Sequence, residues 1–276
     1  MIKKLIAAAG LADNDRVVRI PMRTDWSDAA QDDAPLCEGD NYRALLGMLI
    51  FLLRTRPDIV YSVNRLATRT AGATVKDMDA IHEVILYLKC TASLELTYLS
   101  ASQDQRDAIA RLYGWADAAY ACHRDGKSHS GICLSYGLPG TGKFYSSSKK
   151  QTVVCLSSTE AELYSAVEAT KNIIFCRAIL AELGFPQWHP TTLYVDNTSL
   201  IALASKYSGN SKRVKHFLVR VNFMIEQVAD QVVLLEYINT HDHPADIGTK
   251  PLGPAQFEHL LDFVMDPQRS IGGNLG

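Results

Sequence analysis

None of the six cysteines is spaced as a Cys-x-x-Cys pair, and neither sign of charge is in surplus, with 28 Lys and Arg against 30 Asp and Glu. The first absence excludes a zinc ribbon, a dithiol redox centre and a compact disulfide framework, and points to a reducing, intracellular home. The second excludes a global basic field, so any grip on a polyanion must be local. Long apolar runs are missing too. The opening MIKKLIAAAGLADND is too short for a secretory core and far too short to span a bilayer, so neither a targeting segment nor a membrane anchor is expected. What is present is core material. Apolar residues make up 47% of the 276, which argues against disorder over most of the chain and allows one large domain or two small ones.

Residues Asp25 to Asp40 hold six acids, no Lys or Arg, Pro35 and Gly39, and read as an acidic linker over 25–41. Beyond it Leu45, Leu46, Leu49, Leu52 and Leu53 recur at helical spacing until Pro57. Two more helical faces follow, Ile59-Val63-Leu66-Ala67 and Met78-Ile81-Ile85-Leu88. Spacing alone makes residues 1–107 a helical region without chemistry of its own. After about residue 107 the texture changes to β-like runs, ARLYGWAD, GICLSY and KFYSSS, which predict three consecutive antiparallel strands. The stretch SSTEAELYSAVEATKNIIFCRAILAELGF predicts a long helix with a Ser or Thr N-cap and Gly184 then Pro186 as a stop. A strand TTLYVDN, a short helix, the helix KRVKHFLVRVNFMIEQVA and the strand QVVLLEYI complete the order βββαβααβ over 108–276. That order is an α/β layer, not a bundle.

Charge beside a core is costly unless something compensates it, which singles out four acids. Asp117 closes RLYGWAD, Glu162 lies in the first turn of the long helix, Asp196 ends LYV, and Asp246 follows His-Pro-Ala before the last helical turns. Singly, each has an ordinary explanation as a cap or loop opener. In the predicted layer, however, all four can meet at one sheet edge, where carboxylates about 4 Å apart repel by roughly 4 kcal/mol per pair at an effective dielectric of 20. Such a cluster calls for protons or cations. Oxygen-only ligands suit Mg²⁺ or Mn²⁺, and two such ions about 4 Å apart serve phosphodiester cleavage. Basic residues form two local handles, Lys149 and Lys150 in SSSKKQ, and Lys206, Lys212, Arg213, Lys215 and Arg220 in an acid-free run. On charge alone these are as readily a charged turn and a solvated helix end as a phosphate grip.

In this order, KKQTVVCLSSTEAELYSAVEATKNIIF, LYVDNTSLIALA, KRVKHF and EYINTHDHPADIGTKPL resemble the ribonuclease H domain of copia-type retrotransposon Pol polyproteins. Upstream, YRALLGMLIFLLRTRPDIVYSVNRLA and ILYLKCT are similar to the connection region, and IKKLIAAAGLADNDRVVRIPM to the end of the reverse-transcriptase thumb. The resemblance implies a ribonuclease H-like mixed five-stranded sheet. It implies Asp117, Glu162, Asp196 and Asp246 as catalytic acids and ligands of two Mg²⁺ (or Mn²⁺) ions, with Glu162 preferred to Glu160 because the family's Glu directly precedes Leu or Tyr. The implied reaction is endonucleolytic hydrolysis of the RNA strand of an RNA–DNA hybrid, leaving a 3′ hydroxyl and a 5′ phosphate. Lys149, Lys150, Lys212, Arg213, Lys215 and His216 would contact nucleic acid, and His241 or His243 would help product leave. The implied partners are the hybrid and a reverse-transcriptase fingers and palm segment, and the implied location is a cytoplasmic retrotransposon particle or the nucleus. Tyr194-Val195-Asp196-Asn197 lacks the second Asp of a polymerase palm, so no polymerase activity is expected.

The chain departs from the family's Asp-Ser-Asp-Trp at Asp117-Ala118-Ala119-Tyr120 and from its Lys-His-Ile-Asp at Lys215-His216-Phe217-Leu218. Two alternatives stand beside an active nuclease. One is a retroelement remnant that binds nucleic acid without cutting it. The other is a phosphate-loop nucleotidase built on Gly137 to Lys143, although Phe144 stands where Ser or Thr should hold Mg²⁺, which favours a hairpin turn.

Overall fold

The computed structural model describes residues 1–27, 34–98, 111–137, 141–205 and 215–265, the side chains of Lys215 and His216 excepted. The first part is helical, with α1 (Ile2–Ala8), α2 (Gly39–Leu52), α3 (Val60–Ala67) and α4 (Val75–Cys90). Helix α2 buries Tyr42, Leu45, Leu46, Leu49 and Leu52, the face that the leucine spacing predicts. It starts at Gly39, earlier than the apolar spacing indicates, with Asp40 in the first turn where the helix dipole favours an acid. Pro57 opens a 3-10 turn (Pro57–Ile59) that leads into α3. Helix α4 begins on a reciprocal capping box between Thr74 and Asp77. Inside this module Arg56 pairs with Asp58 at 2.8 Å and donates to the Thr91 carbonyl at 3.0 Å, while the Tyr87 hydroxyl donates to Asp58 at 2.6 Å. A buried ion pair is tolerated on those terms, with hydrogen bonds to its remaining polar atoms.

The second part begins with β1 (Arg111–Ala119), β2 (His129–Gly137) and β3 (Tyr145–Lys150), followed by α5 (Ser158–Glu182), β4 (Thr191–Val195), α6 (Thr198–Ala204), α7 (Lys215–Ala229) and β5 (Val233–Tyr237). Two 3-10 turns (Thr240–Asp242 and Pro244–Gly248) and α8 (Pro254–Val264) complete it. The predicted order βββαβααβ is therefore present. The sheet runs β3-β2-β1-β4-β5, antiparallel across the first three strands and parallel from β1 through β4 to β5. Helices α5 and α7 bury one face of it, packing Leu163, Ala166, Val167, Ile173 and Met224 on Leu112, Ala116, Ile132, Leu134 and Leu193. On the opposite face Trp115 stacks on Tyr194 with ring centroids 5.5 Å apart, beside Cys133 and Ala245.

That second face is covered by the C-terminal segment. Ile247, Leu252, Phe257, Leu260, Leu261 and Val264 join the same core as the leucines of α1 to α4, and the 3-10 turn Pro244–Gly248 packs on β1, β2 and β3. A polar chain also spans the two. Arg65 of α3 bonds His123, His123 bonds His129 of β2 at 2.9 Å, and His129 bonds the Ser148 hydroxyl of β3 at 2.7 Å. None of the six cysteines is in a disulfide. Among the described residues, no helix is long and apolar enough to cross a membrane.

The Gly137–Lys143 run is not a phosphate cradle. Residues 138–140 lie outside the described set, but Lys143 is buried, its ammonium 3.9 Å from the Trp115 ring centroid and donating to the Thr141 carbonyl at 3.2 Å. A strand follows it where a phosphate loop needs a helix N-terminus. Burial lowers the Lys143 pKa to about 8 from an ordinary 10.5. The folded chain thus disfavours the protonated amine, and the cost is absent above the unfolded pKa and complete below the folded one. Wild type should gain stability relative to Lys143→Met as pH rises from about 8 to 10.5. Near neutral pH, Lys143→Met should be the more stable by up to about 3 kcal/mol in paired chemical denaturations. A variant that is less stable at every pH would mean that the contact with Trp115 outweighs the desolvation.

Candidate functional site

Strand alternation decides where the acids go. Trp115 and Tyr194 are register partners on the parallel strands β1 and β4, so Asp117 and Asp196, two residues on, share their face at the C-terminal ends of those strands. Helix α5 supplies Glu162 from the other side. Glu162 stands in the second turn, not the first as the sequence suggested, because the helix starts at Ser158 and Glu160 is its first-turn acid. The Ser165 hydroxyl anchors this turn by donating to the Asp117 carbonyl at 2.8 Å, and Glu162 Oε1 accepts from the Ala118 amide at 3.3 Å. Glu160 does different work. Its carboxylate accepts from the Leu156 amide at 2.8 Å, and its own amide donates to the N-cap Ser157 hydroxyl at 3.2 Å. Carboxylate oxygens of Asp117, Glu162 and Asp196 all lie within 4.8 Å of one another.

Asp246 arrives on the 3-10 turn Pro244–Gly248, which lies directly on β2. Gly131, the register partner of Asp117, permits this. A Cβ there would overlap the Ala245 carbonyl oxygen and come within 2.7 Å of Thr249 Cγ2. With the turn seated, the Thr249 hydroxyl donates to Asp117 Oδ2 at 2.6 Å, Lys250 pairs with Asp246 Oδ2 at 2.9 Å, and the Thr240 hydroxyl donates to Asp196 Oδ2 at 2.8 Å. This places the Asp246 carboxyl next to that of Asp117. Glu162 Oε2 and Asp246 Oδ1 are buried with no protein donor.

The electrostatics follow from this crowding. Burial pushes the Glu162 carboxyl up to about 10, helped by the charges of Asp117 and Asp196. Burial and the neighbouring Asp117 push Asp246 up to about 8. Burial also works to raise Asp117, but His243, Asp246, Lys250 and Thr249 outweigh it and hold that carboxylate below its ordinary value. Burial would lower Lys250, and the Asp117 and Asp246 carboxylates reverse this and raise it. Without a cation, the cluster keeps protons that ordinary carboxyls lose near pH 4.

The other residues singled out in the sequence fall in several places. Lys149 is exposed on β3, and Lys150 pairs with Asp125 at 2.9 Å. Lys212 and Arg213 lie outside the described residues; Lys215 and His216 open α7, with side chains that are not described. The two histidines separate. His243 is fully buried, its Nδ1 accepting from the Ala245 amide at 3.3 Å, and burial pushes its imidazole below the usual value against the pull of Asp117 and Asp196. His241 is exposed, beside Asp242 at 3.2 Å and tilted against the His259 ring. Thr240, Thr249, Lys250 and Gly131 were not singled out by the sequence. The one local signal among them is Lys250, four residues after Asp246.

The chain is 30% identical over 243 residues to the Retrovirus-related Pol polyprotein from transposon RE2 of Arabidopsis thaliana, covering 88% of this chain and 16% of that protein. It is 32% identical over 225 residues to the corresponding polyprotein from transposon TNT 1-94 of Nicotiana tabacum, covering 81% of this chain and 16% of that one. The chain is related to copia-type retrotransposon Pol polyproteins. It thus spans about one sixth of the length of these curated relatives. No family model matches it. Among solved structures, LC11-RNase H1 in complex with an RNA/DNA hybrid aligns with 58% of this chain and 99% of its own, at 10% identity and a TM-score of 0.37. Foamy viral protease-reverse transcriptase in complex with an RNA/DNA hybrid aligns with 73% of this chain and 25% of its own, at 12% identity and a TM-score of 0.40.

The close approach at Gly131 yields a prediction for this copia-related chain. Gly131→Ala should lose about 1–3 kcal/mol of stability, the range for overpacking, because backbone must move. Gly47→Ala in α2, where a Cβ meets nothing within 4 Å, should be neutral or stabilising in the same thermal melts. Equal melting of Gly131→Ala and wild type would show that the Asp246 turn does not depend on this contact.

Proposed function

We propose that the chain is the ribonuclease H-bearing, C-terminal part of a copia-type Pol polyprotein and hydrolyses the RNA strand of RNA–DNA hybrids at Asp117, Glu162, Asp196 and Asp246. The observation that carries this reading is the gathering of Asp117, Glu162 and Asp196 within 4.8 Å, with Asp246 beside Asp117. The donor set fits Mg²⁺ or Mn²⁺, because it offers carboxylate oxygens of which Glu162 Oε2 and Asp246 Oδ1 lack any protein donor. Bound at these four residues, two such ions would neutralise the cluster and supply Lewis-acid stabilisation and water activation for phosphodiester hydrolysis.

The chain's own residues prepare that chemistry. Thr249 and Thr240 hold Asp117 and Asp196 through short hydrogen bonds, which removes rotamer freedom before substrate arrives. Lys250 fixes Asp246 and keeps a positive charge at the rim of the cluster. Hydrolysis adds water across the scissile P–O bond, leaving the 3′ hydroxyl on one fragment and the 5′ phosphate on the other. The 2′-hydroxyl distinguishes the RNA strand from its DNA partner. Lys149, Lys150, Lys212, Arg213, Lys215 and His216 are the proposed backbone contacts, residues 1–107 a thumb- and connection-like platform, and 108–276 the nuclease domain. A fingers and palm segment is the proposed protein partner, and a cytoplasmic retrotransposon particle or the nucleus the proposed location.

Cleavage of a labelled hybrid with Mg²⁺, Mn²⁺ or EDTA tests this reading. RNA-strand cutting should require the ion and fall to background in Asp196→Asn, while the ion-free variant melts at or above the wild-type temperature because a repulsion has gone. Thr249→Val should cost about 10–100-fold in activity, as expected for a residue that orients a ligand. Hybrid binding without cutting at any Mg²⁺ or Mn²⁺ concentration would leave the non-cutting remnant. Neutralising Lys212, Arg213 and Lys215 should flatten the salt dependence of hybrid binding, and an unchanged slope would place the grip elsewhere.

A further inference from the structure

A second cluster of metal-binding side chains sits beside the first and differs from it in chemistry. His241 Nδ1 lies 3.2 Å from Asp242 Oδ1, and His259 Nε2 lies 2.7 Å from the same oxygen. One ligand atom from each of the three residues falls within 4.8 Å of the others. Around a tetrahedral zinc with bonds of about 2.0–2.1 Å, neighbouring ligand atoms are about 3.3 Å apart. The rings are already placed. Their centroids are 4.4 Å apart, Phe263 packs edge-on against His259 at 5.3 Å, and Gln256 donates to the His241 carbonyl at 2.7 Å. Spacing in the sequence hides this set, since the third ligand comes from α8 and not from His243.

We infer that His241, Asp242 and His259 form a site for a transition-metal ion of the Zn²⁺ type that ties the Thr240–Asp242 turn to α8. Two imidazoles and one carboxylate select such an ion over Mg²⁺, which prefers oxygen, and three protein ligands leave a fourth position for water. The tie has a structural consequence. Thr240, next to His241, donates to Asp196, and α8 is rooted in the core of the helical module. An ion here clamps the strut of the acid cluster to that module.

The test is Co²⁺ titration of the full chain in excess Mg²⁺, read by visible absorption, with Zn²⁺ as competitor and thermal melting as a second readout. A single saturable Co²⁺ should give a tetrahedral-type band that Zn²⁺ abolishes, and Zn²⁺ should raise the melting temperature. Both effects should be lost in His259→Gln and in the surface variant His241→Gln, and both should persist in Glu162→Gln. Ion-free melting of the two histidine variants distinguishes a lost ligand from a lost fold, and His241→Gln, at an exposed position, is the decisive one if His259→Gln unfolds. Absence of saturable Co²⁺ binding overturns the proposal. So does binding that survives His241→Gln or disappears in Glu162→Gln.

Discussion

Like charge held at close range beyond the ends of two parallel strands is the constraint around which this molecule is arranged. Each pair of carboxylates about 4 Å apart costs roughly 4 kcal/mol at an effective dielectric of 20. The protein answers only part of that cost itself. Lys250 supplies one cation, and the Thr249 and Thr240 hydroxyls and the Ala118 amide supply hydrogen bonds. The remainder appears as protons kept on Glu162 and Asp246, whose pKa values rise to about 10 and about 8. A site that stays protonated without cations is arranged to gain from receiving them.

The scaffold keeps the acids from relaxing apart. Asp117 and Asp196 cannot separate without breaking the β1–β4 ladder and the Trp115–Tyr194 stack beneath them. Glu162 cannot withdraw without freeing Ser165 from the Asp117 carbonyl, in a helix whose inner face is part of the core against the sheet. Asp246 is held by the seating of its turn on Gly131 and by apolar side chains further along that belong to the helical module's core. Packing on both faces of the sheet therefore opposes the repulsion, and the C-terminal segment carries that restraint from one module to the other.

Much of this was legible in the sequence because it is local. The α2 leucines are a periodic pattern that predicts its buried face, and the strand runs with the long helix between them predict the βββαβααβ order. Glu162 was separated from Glu160 by resemblance alone, and the hydrogen bonds supply the physical reason, since Glu160 is spent on the helix cap. What was not legible depends on long-range contacts. Thr249 reaches Asp117 across a separation of 132 residues, Gly131 matters only because a turn from the C-terminal segment lies on it, and the burial of Lys143 over Trp115 is invisible in a run whose spacing only weakly matched a phosphate loop. The burial of His243 follows from the same close seating of the 3-10 turn, which no spacing in the chain reports.

As proposed above, the crowded carboxylates are a seat for divalent ions. Mn²⁺ introduced into crystals of the protein and located by its anomalous scattering addresses this most directly. The prediction is strong peaks among the carboxylates of Asp117, Glu162, Asp196 and Asp246. Crystals saturated with Mn²⁺ that leave those four side chains without a peak would contradict it.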